Sequence, residues 1–119
     1  MKRVGCKVLI VDDDADTREA LAEALTEAGF AVERAASGKQ ALERMEEHGE
    51  PDVILLDLRM PEMDGAQLLE RMRSPHPRVI VLTGDSSAQL VRFARSAKVL
   101  AKPIDLDQLE KAVEDACAA

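Results

Sequence analysis

The sequence has almost no aromatic side chains: it contains only Phe30 and Phe93, with no Trp and no Tyr. Proteins that bind single-stranded nucleic acid stack its bases on several aromatic side chains, so this class of function is disfavoured. The excess of acidic residues gives a net charge of -7, which would repel a phosphate backbone. We therefore expect no direct binding of nucleic acid by this chain.

Long apolar runs are also missing. None approaches the roughly 18 residues that a membrane-spanning helix requires. The basic start, Met1-Lys2-Arg3, is followed by an apolar run that Lys7 interrupts and Asp12 closes, which is not the pattern of a signal peptide. These absences predict a cytoplasmic protein that does not enter a membrane.

Cysteine is scarce, with Cys6 and Cys117 near the two ends of the chain. We expect both to be buried or unreactive thiols in a reducing compartment. A length of 119 residues predicts one domain, residues 1–119, with a core large enough to fold without a disulfide or a metal. No second domain is expected in this chain, which is either a stand-alone domain or an excised one.

Short apolar runs alternate with stretches of helical periodicity along the whole chain. The runs are Lys7–Val11 and residues 30–35, 53–56, 79–82 and Lys98–Ala101. Helices are predicted from Asp14 or Asp16 to about Ala28, from Ser37 through Glu47, and from Asp64, Asp85 and Asp105 onward. Strict alternation predicts an α/β fold, a five-stranded parallel sheet flanked by five helices, with the more polar second strand near an edge.

Charged and hydroxyl side chains follow the predicted strands. Asp12, Asp13 and Asp14 follow the first strand, Asp57 the third, Thr83 the fourth and Lys102 the fifth. The carboxyl ends of parallel strands line the functional crevice of such sheets. Neighbouring carboxylates repel one another unless a cation lies among them, and oxygen ligands suit Mg²⁺. A carboxylate can also act as a nucleophile toward phosphorus.

Each of these residues has a simpler interpretation. Asp14 is most simply a helix cap, and Asp12 and Asp13 could be loop acids, although acids directly after a buried strand are costly to desolvate. Asp57 could belong to a nucleotide site, but no phosphate-binding loop accompanies it. The acidic spacing also matches a calcium loop, except that Thr17 stands where that loop needs glycine. The joint pattern is therefore more specific than any of its members.

Four segments resemble the receiver domains of two-component response regulators. They are LIVDDD at 9–14, LLDLRMPEMDG at 55–65, VLTG at 81–84 and AKP at 101–103, in the order found in that family. The resemblance covers essentially the whole chain and implies flavodoxin-like topology. It implies a signalling module, not an enzyme beyond its own phosphorylation and dephosphorylation. A sensor histidine kinase or phosphotransfer protein would donate the phosphoryl group, and an unidentified effector protein, or a second copy of the domain, would read it.

The same resemblance implies a role for each site residue. Asp57 corresponds to the phosphoacceptor, Thr83 to the switch hydroxyl and Lys102 to the lysine that pairs with the phosphate. The implied Mg²⁺ ligands are Asp57, Asp13 directly, Asp12 through water, and the backbone carbonyl of Arg59.

Two departures from the family pattern leave alternatives open. Val99 stands where the family usually has an aromatic switch residue, and the stretch from Thr83 to Lys102 is a few residues short. A phosphorylation-independent interaction module of the same fold is therefore a second hypothesis. A hydrolase of small phosphorylated molecules is a third, which the lack of a second domain or cap disfavours.

Overall fold

The computed structural model describes residues 6–57, 78–83, 98–101 and 104–118. Its strands are β1 Lys7–Val11, β2 Ala31–Ala35, β3 Val53–Asp57, β4 Arg78–Thr83 and β5 Lys98–Ala101. The helices in these ranges are α1 Ala15–Glu27, α2 Gly38–His48 and a C-terminal helix, Leu106–Ala118. The helices predicted to begin at Asp64 and Asp85 lie outside the described residues.

The strands form one parallel sheet in the order β2-β1-β3-β4-β5. This order confirms the predicted parallel α/β fold, and it places the more polar β2 at an edge. The chain first adds β2 on one side of β1 and then β3 on the other side. The direction of winding therefore reverses between β1 and β3, which is the position where sheets of this class hold their ligands.

The central strands are buried on both faces of the sheet, and their alternate residues point to opposite faces. One face packs against α1 and the C-terminal helix through Val8, Ile10, Leu21, Leu25, Val53, Leu55, Ile80, Leu82, Leu109 and Val113. The other packs against α2 through Leu9, Val11, Ala41, Ile54, Leu56, Val79 and Val81. Burial on both sides explains why β1, β3 and β4 are continuous apolar runs.

The predicted helix ends depend on local capping. Ser37 caps α2 and its Oγ accepts a hydrogen bond from the Gln40 backbone N–H at 3.1 Å. Gln40 Oε1 in turn accepts from the Ala36 N–H at 2.7 Å, one residue before the cap itself. Gly29 follows α1 with φ of 104°, a conformation that favours glycine and lets the chain turn into β2.

One predicted core position in the C-terminal helix is wrong. The helical spacing of Leu106, Leu109, Val113 and Ala116 in the sequence predicts that all four lie on one apolar stripe, but Leu106 is 53% exposed. Asp105 caps this helix, its Oδ1 accepting from the Asp107 N–H at 2.8 Å. Residues 105–108 are all exposed, so the packed stripe begins one turn later, at Leu109.

The two cysteines also differ in part from the prediction. Cys6 and Cys117 are buried, as predicted, but they form a disulfide. They are therefore not unreactive thiols in this structure. Cys6 and Cys117 can meet because both belong to the core cluster on the face of the sheet that α1 and the C-terminal helix cover.

Candidate functional site

The register of the sheet brings two predicted acids to one edge. Val11 of β1 pairs with Leu56 of β3, so Asp12 and Asp57 are the next residues along neighbouring strands. Adjacent parallel strands lie about 4.8 Å apart. The backbones of Asp12 and Asp57 therefore stand side by side at the carboxyl edge, where the winding of the sheet reverses.

Among the residues whose side-chain burial the structure describes, Asp12 is the only charged one that is buried, with 1% of its surface exposed. Its N–H donates to the Ala35 carbonyl at 3.1 Å, which continues the β1–β2 ladder by one residue. Its Oδ1 accepts from the Asp14 N–H at 2.9 Å, a turn that fixes the carboxylate at the end of β1. Burying a carboxylate costs free energy unless charge or hydrogen bonds compensate it.

Asp13 and Asp14 differ in what surrounds them. Asp14 is the N-cap of α1: its carboxylate accepts from the Asp16 N–H at 3.1 Å and from Thr17 Oγ1 at 2.8 Å. The simpler interpretation of Asp14 is therefore confirmed. Asp13 is exposed at the edge of the sheet, directly beside Asp12. Of Asp12 and Asp13, only Asp13 is open to solvent.

The remaining predicted residues come from β4 and β5. Asp57 pairs with Leu82, and Thr83 pairs with Ala101, so Thr83 ends β4 one position beyond Asp57. Lys102 follows Ala101 in the sequence and, like Arg59, lies outside the described residues. The described backbone thus brings Asp12, Asp57 and Thr83 to neighbouring positions along one edge.

Sequence analysis did not identify Arg18, which contacts this edge. An Arg18 guanidinium nitrogen donates to the Asp12 carbonyl at 2.9 Å, and the side chain is 18% exposed. Arg18 lies on α1, one turn after the Asp14 cap, and its side chain extends back over the end of β1. A basic residue in the first turns of a helix that directly follows an acidic strand end is the signal that could have indicated it.

The donor set at this edge fits a hard cation. Asp12 and Asp13 supply carboxylates, and Asp57 is the next residue of the neighbouring strand; oxygen ligands of this kind suit Mg²⁺. No group of three metal-ligating side chains is present among the residues that the structure describes. The predicted set also draws on the Arg59 carbonyl, which is outside those ranges.

The fold and this edge define a class: a doubly wound α/β domain with acids at the point where its winding reverses. The family model of the response regulator receiver domain matches residues 8–114. The chain therefore belongs to the response regulator receiver family, as the resemblance predicted. It is a signalling module of a type that is not generally enzymatic.

Individual relatives agree with this assignment. The chain is 35% identical to sporulation initiation phosphotransferase F of Bacillus subtilis over 91% of its own length and 90% of that protein. It is 40% identical to sensor kinase CckA of Brucella abortus, but spans only 12% of that much longer protein. It superposes on the chemotaxis protein CheY4 of Vibrio cholerae with a TM-score of 0.85 and 30% identity, covering 95% of this chain and 99% of the other.

Proposed function

We propose that this domain accepts a phosphoryl group on Asp57, with Mg²⁺ bound at Asp12, Asp13, Asp57 and the backbone carbonyl of Arg59. A carboxylate oxygen of Asp57 attacks phosphorus, the bond from phosphorus to the donor nitrogen breaks, and an acyl phosphate forms. The observation that carries this proposal is the register that sets Asp57 beside the buried Asp12 where the winding reverses. Receiver domains generally depend on Mg²⁺, which agrees with the acidic donor set.

The acids near Asp57 support its role as the acceptor. The phosphorylated side chain carries about -1.5 to -2 charge in place of the single charge of the free carboxylate, an increase that the local acids alone would oppose. Bound Mg²⁺ would neutralise charge on the transferring group. Asp12 is held by the Asp14 N–H and Asp13 is exposed, so one acid is fixed in place while the other can bind a hydrated ion.

Thr83 and Lys102 are proposed to hold the transferred group. Thr83 ends β4 next to β3, and its partner in register, Ala101, directly precedes Lys102. In this proposal the hydroxyl of Thr83 donates to one phosphoryl oxygen and the ammonium of Lys102 pairs with another. Movement of Thr83 and Lys102 toward the phosphoryl group would change the surface that a partner contacts. Slow attack of water on the acyl phosphate returns the domain to its resting state.

The proposed donor is a sensor histidine kinase or a phosphotransfer protein. Its support is the likeness to one protein named as a phosphotransferase and to another named as a sensor kinase. The reader of the signal is an effector protein or a second phosphorylated copy, not nucleic acid, which the net charge of -7 disfavours. We propose a cytoplasmic location; no helix in the described ranges has the length and apolar character to cross a bilayer.

The proposal is tested by labelling with a small phosphodonor, acetyl phosphate, in the presence of Mg²⁺. Asp57→Asn should reduce acid-labile labelling by more than about 100-fold, because the amide is not a comparable nucleophile. Asp52→Asn is the matched control. Asp52 is five residues earlier, at the opposite end of β3, where its carboxylate accepts from the Lys7 N–H. Undiminished labelling of Asp57→Asn would overturn the assignment.

Beryllofluoride distinguishes the phosphorylation-independent alternative, because it mimics an acyl phosphate without any transfer step. With Mg²⁺, it should change the backbone amide spectrum of the parent protein but not that of Asp57→Asn. A parent spectrum that stays unchanged would favour an interaction module that does not respond to phosphorylation. Sustained turnover of a generic phosphate ester, far above one equivalent, would instead favour a hydrolase.

A further inference from the structure

The Cys6–Cys117 disulfide joins the two extremes of the described chain. Cys6 precedes β1, Cys117 lies in the last turn of the C-terminal helix, and 111 residues separate them. Their Cα atoms are 6.1 Å apart, within the usual range for a disulfide. Each cysteine is 5% exposed and belongs to the core cluster that also holds Val8, Phe30 and Val113.

The position of this bond separates it from the proposed phosphorylation site. Cys6 lies at the amino end of β1 and Asp12 at its carboxyl end, six residues later and therefore about 20 Å away along the strand. The Cys6 carbonyl accepts from the Ala31 N–H at 3.0 Å, which anchors the start of β1 to β2. The disulfide thus attaches the C-terminal helix to the anchored end of the sheet, away from the acids.

Both redox states are compatible with the same fold. Buried cysteine thiols pack like small apolar side chains, so the cluster around Val8 and Val113 can persist after reduction. The covalent bond acts mainly on the unfolded chain, where it closes a loop of nearly the full sequence and so removes much of that chain's entropy. Stable disulfides are rare in the cytosol, so in the cytoplasmic location proposed above the dithiol would be the resting form.

We propose that Cys6 and Cys117 form a reversible redox couple that sets the stability of the domain and the attachment of its C-terminal helix. The oxidant is a small disulfide of the glutathione type. The thiolate of one cysteine displaces one thiol from it and forms a mixed disulfide; the second cysteine then displaces the other thiol. Two electrons and two protons leave the cysteine pair, and two molecules of reduced thiol are released.

Access to the buried sulfurs requires opening of the last helical turn. Val113 is fully buried one turn before Cys117, whereas Ala118 is exposed, so opening need not extend beyond the helix end. Exchange with the buried pair is therefore slow but does not require global unfolding. After equilibration in glutathione buffers, acid quenching and unfolding expose both sulfurs, and the number of thiols that a maleimide then modifies, read by mass, reports the redox state.

The first test is equilibration of the full chain between reduced and oxidised glutathione. We expect two modified thiols in reduced buffer, none in oxidised buffer, and a monomeric product in both. Two thiols that persist in oxidised glutathione would overturn the proposal. So would a disulfide that native protein retains in reduced glutathione and dithiothreitol, or oxidation that yields only dimers linked between chains.

The second test is thermal unfolding of the same protein in its two states. Closure of so long a loop should raise Tm by roughly 10–20 °C, and reduction should remove that gain. Cys6→Ala/Cys117→Ala should melt near the reduced parent and ignore oxidant; if that variant fails to fold, the parent alone decides. Equal Tm values for the oxidised and the reduced parent protein would contradict the proposed effect of the disulfide on stability. Neither test depends on phosphorylation of Asp57, so failure of this inference can be distinguished from failure of the proposed function.

Discussion

The two edges of the parallel sheet have different chemistry. At the carboxyl edge, Asp12 is buried, Asp13 is exposed and Asp57 is the next residue of the neighbouring strand. At the amino edge, the Asp52 carboxylate accepts from the Lys7 N–H at 2.9 Å, and the Lys7 carbonyl accepts from the Asp52 N–H at 2.9 Å. Asp52 at the amino edge thus joins β3 to β1, whereas the acids at the carboxyl edge lie together where a ligand can bind.

This difference follows from the direction of the strands. All five run parallel, so every crossover returns the chain to the amino edge and every strand delivers its last residue to the carboxyl edge. Side chains that follow different strands are thereby collected at one place, although they are far apart in sequence. We therefore expect the amino edge and the packing of the C-terminal helix to contribute to stability and not to phosphoryl acceptance. Changes there should alter the free energy of unfolding and leave phosphoryl acceptance intact.

The largest expected change in stability comes from the C-terminal helix. Leu109 is fully buried, and Leu109→Ala should lower the free energy of unfolding by about 2–5 kcal/mol through lost burial and the cavity left behind. Leu106→Ala, in the exposed first turn of the same helix, is the matched control and should stay within about 0.5 kcal/mol. Urea unfolding measures both. Similar losses for the two variants would contradict the conclusion that the packed stripe of this helix begins at Leu109.

A smaller effect on stability is expected from Mg²⁺, which should bind at the carboxyl edge and not at the amino edge. Binding to the folded state alone should add about 2.7 kcal/mol of stability when Mg²⁺ reaches about 100 times its Kd. Asp13→Asn should remove most of that gain. Asp16→Asn, an exposed acid in the first turn of α1, should keep it. Thermal melts at constant ionic strength check this, and an equal response of the two variants would rule out Asp13 as a ligand.

The smallest effect is expected at the start of α2, which follows β2 at the carboxyl edge but lies outside the acidic group. Ser37→Ala removes the acceptor of the Gln40 N–H and should cost about 1 kcal/mol. The gain in stability from Mg²⁺ should be unchanged. Lys39→Ala, exposed in the same turn, controls for the loss of a side chain. If Ser37→Ala weakened the response to Mg²⁺, that response would not be confined to the ends of β1 and β3.

Sequence patterns predicted the features that depend on local order. The bounds of β1 and β5 agree with the structure, and Asp14 and Ser37 cap the predicted helices, because apolar runs and capping residues act within a few positions. The gathering of Asp12, Asp57 and Thr83 could also be predicted, since it requires only that the strands be parallel. The roles of these residues in binding Mg²⁺ and the phosphoryl group remain predictions, as do those of Asp13, Arg59 and Lys102.

Other features depend on tertiary position, which periodicity does not contain. Leu106 has the spacing of a core residue, but its turn lies in the exposed first part of the helix. The pairing of Cys6 with Cys117 depends on where two elements at opposite ends of the chain come to lie on one face. The contact of Arg18 with the Asp12 carbonyl likewise depends on the angle at which α1 leaves β1.

The most direct test of the central claim is to locate the phosphoryl group itself. Borohydride reduces an acyl phosphate and converts the phosphorylated aspartate to homoserine, which peptide mass spectrometry identifies by position. After treatment of the parent protein with acetyl phosphate and Mg²⁺, we predict homoserine at Asp57 and no modification of Asp12, Asp13 or Asp52. Homoserine at one of those three acids, with Asp57 unmodified, would contradict the account.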